Sequence, residues 1–213
     1  MLARLPNKRR KVIKKTKMNI PNILSIVRCL LVPVFVVSLL FMREIKYFGL
    51  IVPALIYIVT GLTDMLDGKI ARKYNLVTDF GKFIDPLADK FMVISSMIAI
   101  LVWMILRGEE IQALVFVWLV LVILLRELGV TSLRLVVAGK SGIVVAASML
   151  GKIKTVTQMV GTVAIILEPM FVLPIFTEYH VLSYLCMAVM AFTTIFSGLD
   201  YLKAYLPYID SNK

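Results

Sequence analysis

Four aspartates stand where apolar segments of the sequence begin or end: Asp64, Asp67, Asp85 and Asp89. On a helix, residues three or four apart share a face, so the first two form one pair and the last two form another on the next helix. Ionisable side chains inside membrane segments are costly and normally mark a functional site. If the two faces meet, four carboxylates converge and need cations between them to offset their repulsion.

A site of carboxylates with no nearby histidine or cysteine suits a hard cation, so the pattern predicts Mg²⁺ or Mn²⁺. Two such ions can clamp the attacking and leaving oxygens of a phosphoryl transfer, which predicts two metals in one site. Gly68, Ala71 and Gly81 interleave with the aspartates and leave room for a ligand or for close helix packing. The alternative is that the aspartates cap helices and pair with neighbouring basic residues, which the two facial registers disfavour.

One stretch of this chain resembles the signature of the CDP-alcohol phosphotransferases: Asp64-x2-Asp67-Gly68-x2-Ala71-Arg72-x8-Gly81-x3-Asp85-x3-Asp89. Two more segments, 19–28 and 151–159, resemble the phosphatidylglycerophosphate synthases within that family. Ser25 stands where the family more often has threonine, a change that keeps the hydroxyl. The likeness covers about residues 18–202.

The resemblance implies a six-helix membrane fold, usually homodimeric, with a polar cavity open to the cytoplasmic leaflet. It implies transfer of a phosphatidyl group from CDP-diacylglycerol to sn-glycerol 3-phosphate, giving phosphatidylglycerophosphate and CMP, with a divalent metal required. By position, Asp64, Asp67 and Asp85 resemble the core metal ligands. Asp89 resembles the residue that approaches the second metal and acts as general base. The nucleotide-binding surface then corresponds to Gly68, Ala71 and Arg72, with Gly81 in the same pocket.

A phosphorylated acceptor needs its own cationic pocket, and the second half of the chain supplies the candidates Arg126, Arg134, Lys140, Lys152 and Lys154. We favour Arg134 and Lys152, followed by Arg126, with the Thr155 hydroxyl donating to the same phosphate. For each basic residue the alternative is that its side chain snorkels to lipid headgroups.

Three polar residues near the start of the first apolar segment are further candidates. Arg28 either partners an aspartate or contacts the acceptor phosphate, and both interpretations stay open. Asn22 and Ser25, about one turn earlier, are candidates for hydrogen bonds to the cytidine or the pyrophosphate. Elsewhere, Glu127 is expected to pair with a lysine, and His180 is expected to be structural.

The elements that position these groups are apolar helices. The chain is 60% hydrophobic and 17% charged, against roughly 25% charged for a soluble domain. Together with only two cysteines, this excludes a soluble globule, a disordered chain and a disulfide scaffold. The sequence predicts an all-α integral membrane protein with six transmembrane helices, at about 22–42, 48–68, 81–106, 111–137, 146–168 and 181–202.

Charge sets the expected orientation. Of 24 basic residues, only Arg43, Lys46 and Arg107 fall on outer connections if the N-terminus is cytoplasmic. The positive-inside rule then places both termini and the site on the cytoplasmic side of the cell membrane. We expect a basic extension at 1–17, a catalytic domain at 18–206 and a cytoplasmic tail at 207–213. Beside a membrane span, such an extension meets anionic lipid rather than nucleic acid.

Two other functions remain as alternatives. A sister enzyme of the same family would share the aspartates but use another acceptor, such as inositol phosphate, serine or a phospholipid. A divalent-cation transporter would use the same carboxylates as a permeation site. The chain lacks the paired broken helices of inverted repeats, and its carboxylates cluster at one membrane face, so we favour an enzyme.

Overall fold

The computed structural model describes residues 20–42, 45, 49–73, 78–141, 148–171 and 173–208, with only the backbone for 20–21, 65–73, 79, 82, 140–141 and 177. The α-helices are α1 Ile20–Phe41, α2 Ile51–Lys73, α3 Asp79–Leu106, α4 Glu110–Ser141, α5 Met149–Leu167, α6 Pro174–Thr177 and α7 Val181–Tyr205. The described residues contain no strand, which confirms the all-α prediction. The six long helices match the six predicted segments to within five residues at each end.

Within the described ranges, five stretches are long and apolar enough to cross a membrane: Asn22–Phe41, Phe83–Leu106, Glu110–Gly139, Met149–Met170 and Val181–Tyr208. The sixth helix, α2, has 23 residues and is about 34 Å long. Only its first part, Ile51–Asp64, is apolar, because four of the nine residues from 65 to 73 are charged. The protein is an integral membrane protein in which α2 supplies a polar end.

Two groups of helices pack side by side. In the first, α1 packs against α2 and α3, and in the second, α4 and α5 pack against α7. Contacts of α3 with α4 and of α2 with α5 join the groups. Trp103, Phe116 and Met104 are buried in the apolar core, whereas Leu30 and Leu125 are exposed in the way that a lipid-facing surface requires. The site described below lies where α2, α3, α4 and α5 meet.

A buried carboxylate fixes the helix ends far from the motif aspartates. Glu168 accepts hydrogen bonds from the backbone N–H groups of Leu182 at 2.8 Å and Ser183 at 3.1 Å, and from the Ser183 hydroxyl. These N–H groups belong to the first turn of α7, which lacks helical partners. His180, at φ +48° before this turn, bonds to Glu109 through Nε2 at 2.8 Å. Glu168 therefore caps α7 from the end of α5.

We expect Glu168→Ala to lower the melting temperature of the detergent-solubilised protein by several degrees. The substitution leaves buried donors without an acceptor, and each such donor costs about 1–3 kcal/mol. Thermal unfolding measured by tryptophan fluorescence or circular dichroism tests this. Glu178→Ala is the matched control, because Glu178 is exposed at the same end of the molecule. Equal melting temperatures for both variants would show that the cap does not stabilise the fold.

Candidate active site

A polar face of α1 contacts both helices that carry the motif aspartates. Arg28 Nη1 forms an ion pair with Asp64 of α2 at 2.5 Å, and the Ser25 hydroxyl donates to Asp85 Oδ1 of α3 at 2.6 Å. Both α1 side chains are fully buried. A buried guanidinium is tolerated only when it is paired, so its partner on α2 accounts for an arginine in this apolar helix. Helix α1 thus orients one carboxylate from each aspartate helix.

The start of α3 is tied to the same face of α1. Thr78 caps α3 by accepting a hydrogen bond from Gly81 N at 3.0 Å, and its hydroxyl donates to Asn22 Oδ1 at 3.0 Å. A Cβ placed on Gly81 would lie 2.9 Å from Asn22 Oδ1 and 3.7 Å from Asp85 Oδ2. A side chain at position 81 would therefore displace Asn22, which is a structural reason for a glycine at this position.

One cavity joins carboxylates and cations from four helices. Asp64 of α2 and Asp89 of α3 line it together with Arg126 of α4 and with Lys154 and Thr155 of α5. Acidic groups therefore face the same space as basic groups. The cavity can therefore bind a small molecule that carries both a hydroxyl and an anionic group. A carboxylate can accept the proton of the hydroxyl, and the basic side chains can bind the anionic group.

Glu127 of α4 links the cations of this cavity. Its Oε1 accepts from Lys154 Nζ at 2.5 Å and from Arg126 Nη1 at 2.9 Å, and its Oε2 lies 3.6 Å from Lys90 Nζ. Arg126 also donates to the Ser197 hydroxyl of α7 at 2.9 Å. Three cations around one carboxylate leave a net positive charge, and the ion pairs hold the basic side chains in fixed positions.

Residues 18–197 match the family model described as CDP-alcohol phosphatidyltransferase. The chain belongs to this family. It is 40% identical to the CDP-diacylglycerol–glycerol-3-phosphate 3-phosphatidyltransferase of Bacillus subtilis (strain 168), over 86% of this chain and 93% of that protein. It is 35% identical to a probable phosphatidylglycerophosphate synthase of Mycobacterium tuberculosis (strain CDC 1551 / Oshkosh), over 88% and 82%. A Rickettsia felis protein with the same name as the Bacillus relative is 33% identical, over 89% and 97%.

The structure describes the side chains of some, but not all, of the predicted metal ligands of this CDP-alcohol phosphatidyltransferase. For Asp67, Gly68, Ala71 and Arg72 only the backbone is described. Among the side chains that are described, no three acidic, histidine or cysteine groups form a cluster that could hold a metal ion. The described donors Asp64, Asp85 and Asp89 are all carboxylates, the ligand type that hard divalent ions select. Their chemistry fits the general divalent-cation dependence of the family.

The structure places the candidate basic residues of this phosphatidyltransferase in two different environments. Arg126, Lys154 and Thr155 line the cavity, whereas the favoured pair, Arg134 and Lys152, is exposed and is not among the described lining residues. Arg134 lies eight residues beyond Arg126 on α4, about 12 Å along the axis, so a shared helix face does not bring the two to one ligand. Lys152 is two residues from Lys154 and thus projects from a different side of α5.

The structure also describes groups whose role the sequence left open or did not indicate. Arg28, for which two interpretations were open, is the partner of Asp64. Glu127 pairs with a lysine as expected, but it also lies inside the cavity, and its position in the apolar span Glu110–Gly139 was the available signal. Tyr57 and Gln158 line the cavity and were not anticipated. For Gln158 the signal is its spacing of four residues from Lys154, which places both on one helix face.

Proposed function

We propose that this protein transfers the phosphatidyl group of CDP-diacylglycerol to sn-glycerol 3-phosphate, giving phosphatidylglycerophosphate and CMP in phospholipid biosynthesis. The observation that carries the proposal is the single cavity that Asp64 and Asp89 share with Arg126 and Lys154. The carboxylates suit a metal-bound pyrophosphate and an attacking hydroxyl, and the cations suit the phosphate of the acceptor. The names of the relatives, at 33–40% identity over most of the chain, support the same reaction.

In the proposed reaction, a hydroxyl oxygen of the acceptor attacks the phosphorus that carries the diacylglycerol group, and the bond from that phosphorus to the CMP oxygen breaks. Asp89 takes up the hydroxyl proton as general base. Asp64, Asp67, Asp85 and Asp89 are the proposed ligands of two Mg²⁺ or Mn²⁺ ions. Bound divalent ions would neutralise the pyrophosphate and stabilise the leaving CMP. The Arg28 and Ser25 contacts hold two of the carboxylates in orientation for this task.

The acceptor phosphate is proposed to bind Arg126, Lys154 and the Thr155 hydroxyl. Arg126 Nε is buried and has no hydrogen-bond partner among the residues that the structure describes, which leaves a donor for a ligand. The net positive charge around Glu127 matches a phosphate monoester with close to two negative charges. Lys152 and Arg134 are better suited to contacts with headgroups at the membrane surface.

On the nucleotide side, Asn22, Ser25 and Gly81 are proposed to border the cytidine and the pyrophosphate. They lie together at the start of α3, beside Asp85. Gly68, Ala71 and Arg72 complete this surface in the proposal, on the strength of the motif alone. The division of the chain into a basic extension, a catalytic domain over 18–206 and a short tail also remains a proposal.

The orientation and the partners follow from charge and resemblance. We propose that the cavity opens to the cytoplasmic side of the cell membrane and that both termini lie on that side, because basic residues concentrate there. The basic segment 1–17 would contact anionic lipid. The family resemblance supports a homodimer.

An acceptor panel tests the proposed function. Purified protein in detergent, with CDP-diacylglycerol and Mg²⁺, is offered glycerol 3-phosphate, inositol phosphate or serine at equal concentration, and CMP release is measured. We expect release with glycerol 3-phosphate. Release only with another acceptor would identify a sister enzyme. Metal flux into proteoliposomes, with no CMP released by any acceptor, would identify a transporter.

We expect Lys154→Ala to raise the KM for glycerol 3-phosphate by roughly 10- to 100-fold. Loss of a charge-assisted hydrogen bond costs about 1.5–3 kcal/mol, and Lys154 is buried in the cavity. The KM for CDP-diacylglycerol should stay nearly unchanged, and Lys154→Arg should rescue only partly because a planar fork does not replace a point charge. Steady-state kinetics with both substrates measures the separation.

Lys152→Ala is the matched control, since this exposed lysine is two residues away on the same helix. Its effect on the KM for the acceptor should be several times smaller. Equal weakening of both substrates by Lys154→Ala, or a larger effect of Lys152→Ala, would contradict the assignment of the phosphate site.

A further inference from the structure

Gln158 is a buried amide in the wall of the cavity. It is 3% exposed and lies four residues after Lys154, so the two share a face of α5 about 6 Å apart along the axis. Its Nε2 has no hydrogen-bond partner in the part of the chain that the structure describes. Buried polar groups in proteins are nearly always satisfied, so this donor points to a ligand in the cavity.

The surroundings of Gln158 limit what that ligand group can be. The buried face of α5 changes along its length from the charged Lys154 to the neutral, polar Gln158 and Thr162 and then to the apolar Ile165. The cavity that Gln158 lines also includes the apolar side chains of Met92 and Met159. Beyond Lys154 this face carries no charged side chain, and an uncharged amide N–H donor suits a neutral hydroxyl or carbonyl oxygen.

We infer that Gln158 recognises the secondary hydroxyl of glycerol 3-phosphate by donating a hydrogen bond from Nε2; the inference rests on the proposed function. Glycerol 3-phosphate has three polar points. The phosphate lies at Arg126 and Lys154, the primary hydroxyl reacts beside Asp89, and the secondary hydroxyl remains for Gln158. Gln158 is therefore a specificity-determining residue for a short polyol phosphate.

The test compares glycerol 3-phosphate with 3-hydroxypropyl phosphate, which has the same phosphate and primary hydroxyl but no secondary hydroxyl. The wild-type protein should prefer glycerol 3-phosphate by roughly 10- to 100-fold in kcat/KM, because the analogue leaves the buried amide unpaired. Gln158→Met keeps the length of the side chain and removes the donor. In this variant the kcat/KM values for the two acceptors should differ by no more than about threefold.

The kcat/KM for glycerol 3-phosphate should fall, the kcat/KM for 3-hydroxypropyl phosphate should not fall, and the KM for CDP-diacylglycerol should stay near wild type. The last two readouts also report that the variant is folded, and Gln158→Leu provides a second apolar replacement. Val160→Leu is the matched control, because Val160 is exposed on the same helix and should keep the wild-type preference.

Two failures are distinguishable. A wild-type protein that uses neither phosphorylated acceptor but releases CMP with another alcohol overturns the proposed function. A wild-type protein that uses glycerol 3-phosphate, with an unchanged preference in Gln158→Met or Gln158→Leu, overturns the role of Gln158 only. A wild-type protein that uses both acceptors equally well also overturns that role.

Discussion

Asp89→Asn is expected to lower turnover by about 10²- to 10⁴-fold, the contribution of a positioned general base. The amide keeps an oxygen that can accept a hydrogen bond, but it cannot take up the proton of the attacking hydroxyl. Binding of CDP-diacylglycerol should weaken far less than turnover, because the other motif aspartates remain. Single-turnover CMP release and equilibrium binding of the nucleotide lipid measure the two effects separately.

Asp200→Asn is the matched control for this variant. Asp200 is a partly exposed aspartate on α7 and is not among the described residues that line the cavity. Its turnover should remain close to wild type. If Asp89→Asn instead stayed within a factor of two of wild-type turnover, Asp89 would be excluded as the base.

Removal of divalent metal should abolish activity. The proposed ligands are carboxylates alone, so excess EDTA is expected to stop CMP release, and added Mg²⁺ or Mn²⁺ should restore it. EDTA saturated with Mg²⁺ before addition is the control for effects of the chelator on detergent or lipid. Undiminished CMP release in excess free chelator would contradict the metal assignment.

The proposed metal site also predicts the effect of replacing single ligands. Replacing Asp64, Asp67 or Asp85 by alanine should reduce both metal-dependent nucleotide binding and turnover. For Asp64, asparagine is the better first replacement, because alanine would remove both oxygen atoms from beside the buried Arg28 guanidinium. Normal activity in any of these variants would mean that the aspartate faces do not converge as proposed.

The helices could be predicted from the sequence because membrane spans depend on local composition. A segment of about 20 apolar residues needs no knowledge of its neighbours to be identified. The exception is α2, where only Ile51–Asp64 is apolar and the remainder carries the charges of the motif. The predicted membrane span ended at about residue 68, whereas the helix continues to Lys73, since hydropathy alone does not detect a helix beyond its apolar part.

Positions along one helix were also predictable, whereas contacts between helices were not. Periodicity places Asn22, Ser25 and Arg28 near one face of α1, but it does not tell which aspartate each side chain reaches. The pairing of Arg28 with Asp64 depends on how α1 packs against α2. The same limit explains why the role of Arg28 could not be decided from sequence.

The cationic pocket shows this limit most clearly. Arg126 and Arg134 share a helix face, but rise along the helix separates them, and only Arg126 reaches the cavity. On α5, the sequence gives Lys152 and Lys154 equal charge, and only the packing against α7 and α2 decides that Lys154 is buried. Glu127 forms ion pairs with three basic residues, and two of these residues belong to other helices.

The most direct test of the proposed reaction uses purified protein in detergent with Mg²⁺, CDP-diacylglycerol and radiolabelled glycerol 3-phosphate. Chloroform-soluble label and released CMP are counted in the same reaction. We predict that both appear only when all components are present, in a ratio of one to one. CMP release without lipid-soluble label would mean that water or another group accepts the phosphatidyl moiety, and absence of both products would contradict the proposed transfer.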